Sequence, residues 1–269
     1  MMELYGLLGE SLKHSISPLI HSTIFKELNI QGTYELFEIE KEEVGNTINK
    51  FKDIGVVGIN VTIPYKAAVM KFLDETTNAA KKIGAVNTIC FKNKKTIGYN
   101  TDYAGFGMML KKNDIDIKMK KAVVLGSGGA AKAVIQYLID SEIGEITVVS
   151  RGANKIKNIH NKKEYNIISY EEVSRMPDKD LIINCTPCGM FPNVDSCPIE
   201  KCSIDKFSTA IDLIYNPKET LFLKYAKQLD MKAVNGLYML IGQAVCAEEL
   251  WHDIKINNKI INSVYEKLR

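Results

Sequence analysis

The chain has 269 residues, 46% of them hydrophobic, and its 35 basic and 32 acidic side chains are intermixed for a net charge of +3. That composition excludes a disordered chain, leaves no basic stripe for a nucleic-acid backbone, and contains no apolar run near the roughly 20 residues that span a membrane. The opening MMELYGLLGESLKH lacks the basic and long apolar regions of a secretory signal, which points to a globular cytoplasmic protein long enough for two domains.

Along the first hundred residues short apolar runs alternate with amphipathic ones: LYGLLG, a helix after Ser17, YELFEI, a helix around 41–52, VVGINVTI, a helix after Pro64, then AVNTICF. This is an α/β pattern. Within INVTIPYK (59–66), Ile59, Val61 and Ile63 alternate as a strand does, and Pro64 suits the first turn of a helix. The spacing therefore predicts Lys66 on a first helical turn, against the macrodipole. Alone, such a lysine reads as an ordinary solvated side chain. The stretch GYNTDYAGFGMMLKKNDIDIKMKK, with glycines, a helical run and a charged connector, marks a domain boundary.

A second series starts at Lys121 with KAVVLGSGGAAKAVIQYLI, passes through EITVVSR and DLIINCTP, and reaches STAIDLIYNP; it predicts a doubly wound parallel sheet. After KAVNGLYMLIGQAVCAEELW the tail is helical, and its last helix is placed back on the first domain. The expected division is 1–102 with 237–269, and 103–236. Cys185-x2-Cys188 followed by Cys197-x4-Cys202 invites a zinc reading, but the first pair ends an apolar strand and the second is loosely spaced. Buried, reduced thiols and no metal are the better expectation.

VVLGSGGAAKA puts Gly126-x-Gly128-x-x-Ala131 directly after a strand and at the opening of a helix. Glycines permit the tight turn and let backbone amides approach a pyrophosphate, whose charge the helix N-terminus favours, while a small third residue allows close helix–strand packing. The next strand ends in Ser150-Arg151, with Lys155 beyond, where an NAD enzyme carries an acid for the ribose hydroxyls. An arginine there can pair with a 2′-phosphate, so NADP is the expected cofactor. A nicotinamide supplies hydride and the protein must supply a proton. No Tyr-x3-Lys dyad occurs, and the four histidines are scattered, which leaves Lys66 as an acid/base candidate.

Taken together, KHSISPLIHS, NVTIPYK, GAVNTI, YNTDYAGF, GSGGAAKA, SRGANK, NCTPCGM, DLIYNP and NGLYMLIGQA resemble, in order and spacing, the motifs of the shikimate dehydrogenase family. The resemblance covers nearly the whole chain. It implies two α/β domains, the second Rossmann-type, with an active-site cleft between them, and the NADPH-dependent reduction of 3-dehydroshikimate to shikimate. It implies a small-molecule substrate as partner, with a monomer or a homodimer both open.

Residue by residue, the resemblance makes Lys66 and Asp102 the catalytic pair. Ser15 and Ser17 would bind the substrate carboxylate, with Thr62, Asn87, Tyr215 and Gln243 around the ring and its hydroxyls. The cofactor would meet Gly126, Ser127, Gly128, Gly129, Ala130, Ser150, Arg151, Lys155, Leu213, Ile214 and Gly236. The residues themselves support these roles, since a small ring with one carboxylate and several hydroxyls needs many short hydrogen-bonding side chains. Ser17-Pro18 has the form of an N-cap followed by proline at the first helical position, an end that attracts a carboxylate. Two departures stand out: Asn78 replaces a common glutamate, and SRGANK lacks the usual Asn and Thr around its arginine. A quinate/shikimate dehydrogenase using NAD, and a catalytically silent NADP-binding protein, are the competing readings.

Overall fold

A computed structural model describes residues 2–153 and 164–269, which form two compact units, Met1–Phe106 with Ile241–Arg269 and Gly107–Leu240. Among the described residues no helix is long and apolar enough to cross a membrane.

The first unit is built on β1 (Glu3–Gly9), β2 (Gly32–Glu38), β3 (Gly58–Val61), β4 (Glu75–Thr76), β5 (Thr88–Lys92) and β6 (Lys95–Tyr99), in the sheet order β2-β1-β3-β5-β6-β4. β1 runs parallel to β2 and β3, while β3–β5 and β5–β6 are antiparallel. Asn93 and Lys94 join β5 to β6 with φ of 53° and 60°, the left-handed pair that matches the twist of a two-residue hairpin. Helices α1 (Ser17–Leu28), α2 (Val44–Ile54) and α3 (Asn78–Ile83) connect the strands. α1 and α2 both end at left-handed residues, Asn29 and Gly55, whose amides return to the last turn.

One core cluster joins Ile48 and Phe51 of α2 to Ile59, Val61, Tyr65 and Ile89; another gathers Tyr5, Phe25, Tyr34 and Trp251. The Trp251 indole also donates to the Ile89 carbonyl (3.1 Å). The last helix, Asn258–Leu268, meets α1 through Lys267 and Ser263, both on the Glu27 carboxylate (2.5 and 3.2 Å).

The expected helix at Pro64 is not there. Residues 63–67 form a turn after a cis Ile63–Pro64 bond, and a short 3₁₀ helix follows only at Ala68–Phe72. The Tyr65 amide, a donor that a helix starting at Pro64 would leave spare, bonds back to the Thr62 carbonyl, and the Val69 amide bonds the Tyr65 carbonyl. β3 also stops at Val61: its four residues are all buried, and Ile63 is 62% exposed rather than alternating inward.

The second unit carries β7 (Lys121–Leu125), β8 (Glu145–Val149), β9 (Asn166–Ile168), β10 (Leu181–Asn184), β11 (Thr209–Asp212) and β12 (Lys232–Val234) in the order β12-β11-β10-β7-β8-β9, every pairing parallel. Read from β9, this is the 3-2-1-4-5-6 order of a doubly wound sheet, and the near-continuous burial of β7, β8, β10 and β11 is what cover on both faces demands. The order reverses on either side of β7, so the switch point lies at the carboxyl end of that strand.

Candidate active site

In the first unit the register brings distant residues to one rim. Leu8 lies opposite Val61, Asn60 opposite Thr88, and Thr88 opposite Tyr99, so the carboxyl ends of β1, β3 and β6 and the amino end of β5 coincide. The segments leaving that rim carry Ser15, Thr62, Lys66, Asn87 and Asp102. Asp102 opens helix α4 (Asp102–Lys112), whose first turn is further tied by the Tyr103 amide on the Asn100 side chain (3.3 Å).

Lys66 donates from Nζ to Asp102 Oδ2 at 2.7 Å, with the two side chains 14% and 7% exposed. The other carboxylate oxygen, Oδ1, accepts from Asn87 Nδ2 at 2.9 Å. Asn87 is itself fixed on every side: Nδ2 also donates to Thr101 Oγ1 (3.0 Å) and reaches Gln243 Oε1 (3.4 Å), while Oδ1 accepts from the Thr101 amide (2.6 Å) and from Thr88 Oγ1 (3.2 Å). Below it Asn60 donates to Thr88 Oγ1 (3.1 Å). Removing one member of so buried an ion pair costs about 3–5 kcal/mol in general, and here Asn87 would remain to cover part of the carboxylate. The pair thus presents one ammonium, held in a single direction and partly open to solvent. Gln243, on helix α7 (Leu237–His252), is buried at 9% exposure and forms part of this network.

Ser17 is not the cap of α1. Ile16 occupies that position with φ −92° and ψ 5°, and no side chain caps the helix. The reason is local: Ser15 Oγ accepts the Ser17 amide (3.2 Å) and donates to Ser17 Oγ (3.1 Å), which draws Ser17 into the first turn. Ser17 also hydrogen-bonds Tyr34, whose hydroxyl donates to Asn60 Oδ1 at 2.8 Å. Burial, aided by Glu248, pushes the Tyr34 hydroxyl well above its ordinary pKa, so it stays a donor. The pattern of apolar strands did not single out Tyr34, Asn60, Thr88 or Thr101. Their signal was present as polar residues inside otherwise apolar runs, and it named no partners. Thr62 is half-buried beside Gly9, its amide on the Leu8 carbonyl.

In the second unit, β7 ends at Leu125 and the chain turns at Gly126, which has φ +102°, a conformation open to glycine and strained for other residues. Gly128 caps α5 (Gly129–Asp140) in extended conformation with no side-chain hydrogen bond, and the first turn carries no acid. A Cβ on Gly128 would meet nothing within 4 Å. That leaves an uncapped helix N-terminus with open space over it, a fit for the pyrophosphate of a dinucleotide. Ala131, fully buried, is the small residue that lets α5 approach the sheet.

Ser127 Oγ lies 3.2 Å from Ser150 Oγ, which caps the end of β8 and accepts the Gly152 amide (3.3 Å). Arg151 is exposed, and its charge partly offsets the burial that raises the Tyr170 hydroxyl. Lys155 lies outside the described residues. Gly129 and Ala130 open α5; Leu213, Ile214 and Tyr215 follow β11. Gly236 N donates to the Ile214 carbonyl (3.0 Å), and a Cβ there would sit 2.0 Å from the Leu213 oxygen, so only glycine fits. Of the cysteines expected to be buried, Cys202 is exposed and Cys185, Cys188 and Cys197 are partly covered; burial pushes the Cys197 thiol up to about 11.

Two family models match the chain: the shikimate dehydrogenase substrate binding domain over residues 7–89 and shikimate / quinate 5-dehydrogenase over residues 108–201. The NADP(+) shikimate dehydrogenase of Clostridium beijerinckii is 50% identical over 266 residues, 98% of this chain and 97% of that protein. The chain belongs to the shikimate dehydrogenase family. Its fold agrees: a chorismate mutase/shikimate 5-dehydrogenase fusion protein from Clostridium acetobutylicum superposes with a TM-score of 0.95 at 51% identity, covering 100% of this chain and 97% of that one. The Thermus thermophilus shikimate 5-dehydrogenase, in complex with NADP(H) and shikimate, gives a TM-score of 0.87 at 28% identity, with both chains fully covered. The substrate-binding-domain match carries Ser15, Ser17, Thr62, Lys66 and Asn87, while the second match carries the glycine turn and Arg151. Asn78, the departure from the family's usual glutamate, is the first residue of α3 behind the Thr77 cap.

Proposed function

We propose that this protein reduces 3-dehydroshikimate to shikimate with NADPH, reversibly, as a cytoplasmic step toward aromatic amino acids. The observation that carries the reading is the Lys66–Asp102 pair, 2.7 Å apart and braced by Asn87. When bound, the dinucleotide supplies a hydride to the substrate carbonyl carbon, which leaves negative charge on the oxygen. Lys66 stabilises that oxygen with its ammonium and gives it a proton, since an ammonium has two further N–H groups beside the one Asp102 holds. Asp102 fixes the direction of Lys66 and has lone pairs left for a ring hydroxyl.

Ser15 and Ser17 hold the substrate carboxylate, with Thr62, Asn87, Tyr215 and Gln243 addressing the ring. Gly126, Ser127, Gly128, Gly129 and Ala130 hold the pyrophosphate, and Ser150, Arg151 and Lys155 the 2′-phosphate, with Leu213, Ile214 and Gly236 lining the rest. Arg151 without a neighbouring acid at the end of β8 favours NADP over NAD, and with it shikimate over the NAD-linked quinate chemistry.

The test is NADPH oxidation followed optically with 3-dehydroshikimate, alongside NADH, and in reverse with shikimate and with quinate. Turnover with 3-dehydroshikimate and a clear NADPH preference is expected. Equal or better kcat/KM with NADH and quinate would favour the competing dehydrogenase, and no turnover with any of them would leave a silent dinucleotide-binding protein.

A further inference from the structure

At the last rung of the β10–β11 ladder, Asn184 lies directly opposite Asp212, and both are fully buried. Asn184 Nδ2 donates to Asp212 Oδ1 at 3.0 Å. The remaining capacity of the two side chains is spent on the loops that leave these strands. Asp212 Oδ1 also accepts the Ile214 amide (3.0 Å), and Oδ2 accepts the Thr220 hydroxyl (2.6 Å), itself the cap of helix α6 (Leu221–Gln228). Asn184 Oδ1 accepts both the amide and the hydroxyl of Thr186 (3.0 and 2.7 Å), and Nδ2 reaches the Cys188 carbonyl (3.3 Å).

The first of those loops touches the dinucleotide turn, and the second holds Gly236. A Cβ on Gly126 would come 3.0 Å from Thr186 Cγ2, so Thr186 forms the wall beside the glycine, and Gly236 is held on the Ile214 carbonyl. A buried carboxylate paired with a neutral amide is costly compared with an apolar pair of the same volume. Packing alone does not require it. What it supplies is directional: two loops, 185–188 and 213–220, locked to each other across one ladder rung.

We infer that Asp212, together with Asn184, is a positioning residue for the dinucleotide site, setting where Thr186 and Leu213–Ile214 stand relative to the glycine turn. The inference rests on the proposed NADPH binding. It extends that reading to two residues that touch neither the pyrophosphate turn nor the substrate network of the first unit.

The test measures the dissociation constant of NADPH by fluorescence, with kcat and both KM values, for full-length wild type, Asp212→Ala, Asp212→Asn and Ile204→Ala. Ile204 belongs to the core of the same unit, so its truncation loosens packing without touching the pair. Asp212→Ala is expected to weaken NADPH about tenfold, the scale of a lost buried hydrogen-bond anchor. The KM for 3-dehydroshikimate and the kcat at saturating NADPH should change less than about threefold. Asp212→Asn should restore binding to near wild type, because its carbonyl oxygen still accepts from Ile214 and Asn184, and Ile204→Ala should bind NADPH normally. If Asp212→Ala does not fold, Asn184→Ser carries the same expectation. NADPH binding by folded Asp212→Ala equal to wild type, or equal weakening in Ile204→Ala, overturns the inference while leaving the proposed function standing. Failure of the wild type itself to bind NADPH overturns both.

Discussion

Lys66 is aimed by side chains: Asp102 holds it, Asn87 holds Asp102, and Thr88, Thr101 and Gln243 hold Asn87. The turn at Gly126–Gly129 is the reverse, with backbone amides at an uncapped helix start, open space where a side chain would stand, and its walls supplied by other loops. The first arrangement suits a proton that must be delivered to one atom, and tolerates no slack in direction. The second suits a polyanion recognised by many weak dipoles. Function in this family therefore draws on two kinds of precision, and perturbations should separate them.

Apart from loss of Lys66 itself, the largest separation is expected from Asp102→Asn. The amide keeps the shape but presents Lys66 with a neutral partner, so kcat should fall by about 10² to 10³, the range of a misdirected acid or base, with NADPH affinity unchanged. Comparable losses of kcat and of NADPH affinity would show that the two regions are not separable.

Next comes a pH effect confined to the second unit. Burial raises the Asp212 carboxyl to about 6, against the opposing bonds from Thr220, Ile214 and Asn184. A carboxyl raised above its unfolded value near 4 contributes stability that is complete below that value and is lost as pH rises through about 6. A rise of that size corresponds to about 3 kcal/mol. Melting of wild type and Asp212→Asn between pH 4 and 7.5 should therefore show the wild type losing stability relative to the variant as pH rises. A constant difference across that range would mean the carboxyl titrates normally.

A smaller effect is expected at Arg151: if it holds the 2′-phosphate, its removal takes away one charge-assisted contact worth about 1.5–3 kcal/mol. Arg151→Ala should raise the KM for NADPH at least tenfold while leaving NADH use and kcat alone. Parallel losses with NADH would place the arginine elsewhere than on the 2′-phosphate.

How much of this was legible beforehand follows the same division. The glycine turn is local, and strand, turn and helix lie within twenty residues, so VVLGSGGAAKA sufficed to place it, while the α/β series through EITVVSR, DLIINCTP and STAIDLIYNP gave the parallel sheet around it. Within its own octet Lys66 reads only as a lysine after a strand; the absence of another recognisable proton donor made it a candidate, and only the family resemblance paired it with Asp102. Its partner is 36 residues away, and the bond depends on a hairpin, β5–β6, whose second strand KTIGY is short and half polar. The helix expected at Pro64 gave way to a turn closed by Thr62 and Tyr65, and the cap expected at Ser17 moved because Ser15 took the Ser17 amide. The second is a competition of neighbouring polar groups for one backbone donor, which residue types alone leave undecided. Asn184 and Asp212 open the motifs NCTPCGM and DLIYNP, but with no role or partner assigned; only the ladder set them opposite each other.

The most direct measurement is kcat of Lys66→Ala beside its NADPH dissociation constant, with circular dichroism to confirm folding. If Lys66 protonates the developing alkoxide, kcat falls by about 10² to 10⁴, the KM for 3-dehydroshikimate rises far less, NADPH binds as in wild type, and Lys66→Arg recovers little because guanidinium does not readily give up a proton. A folded Lys66→Ala that turns over at near wild-type kcat would contradict the account and return Lys66 to an ordinary lysine at the end of a strand.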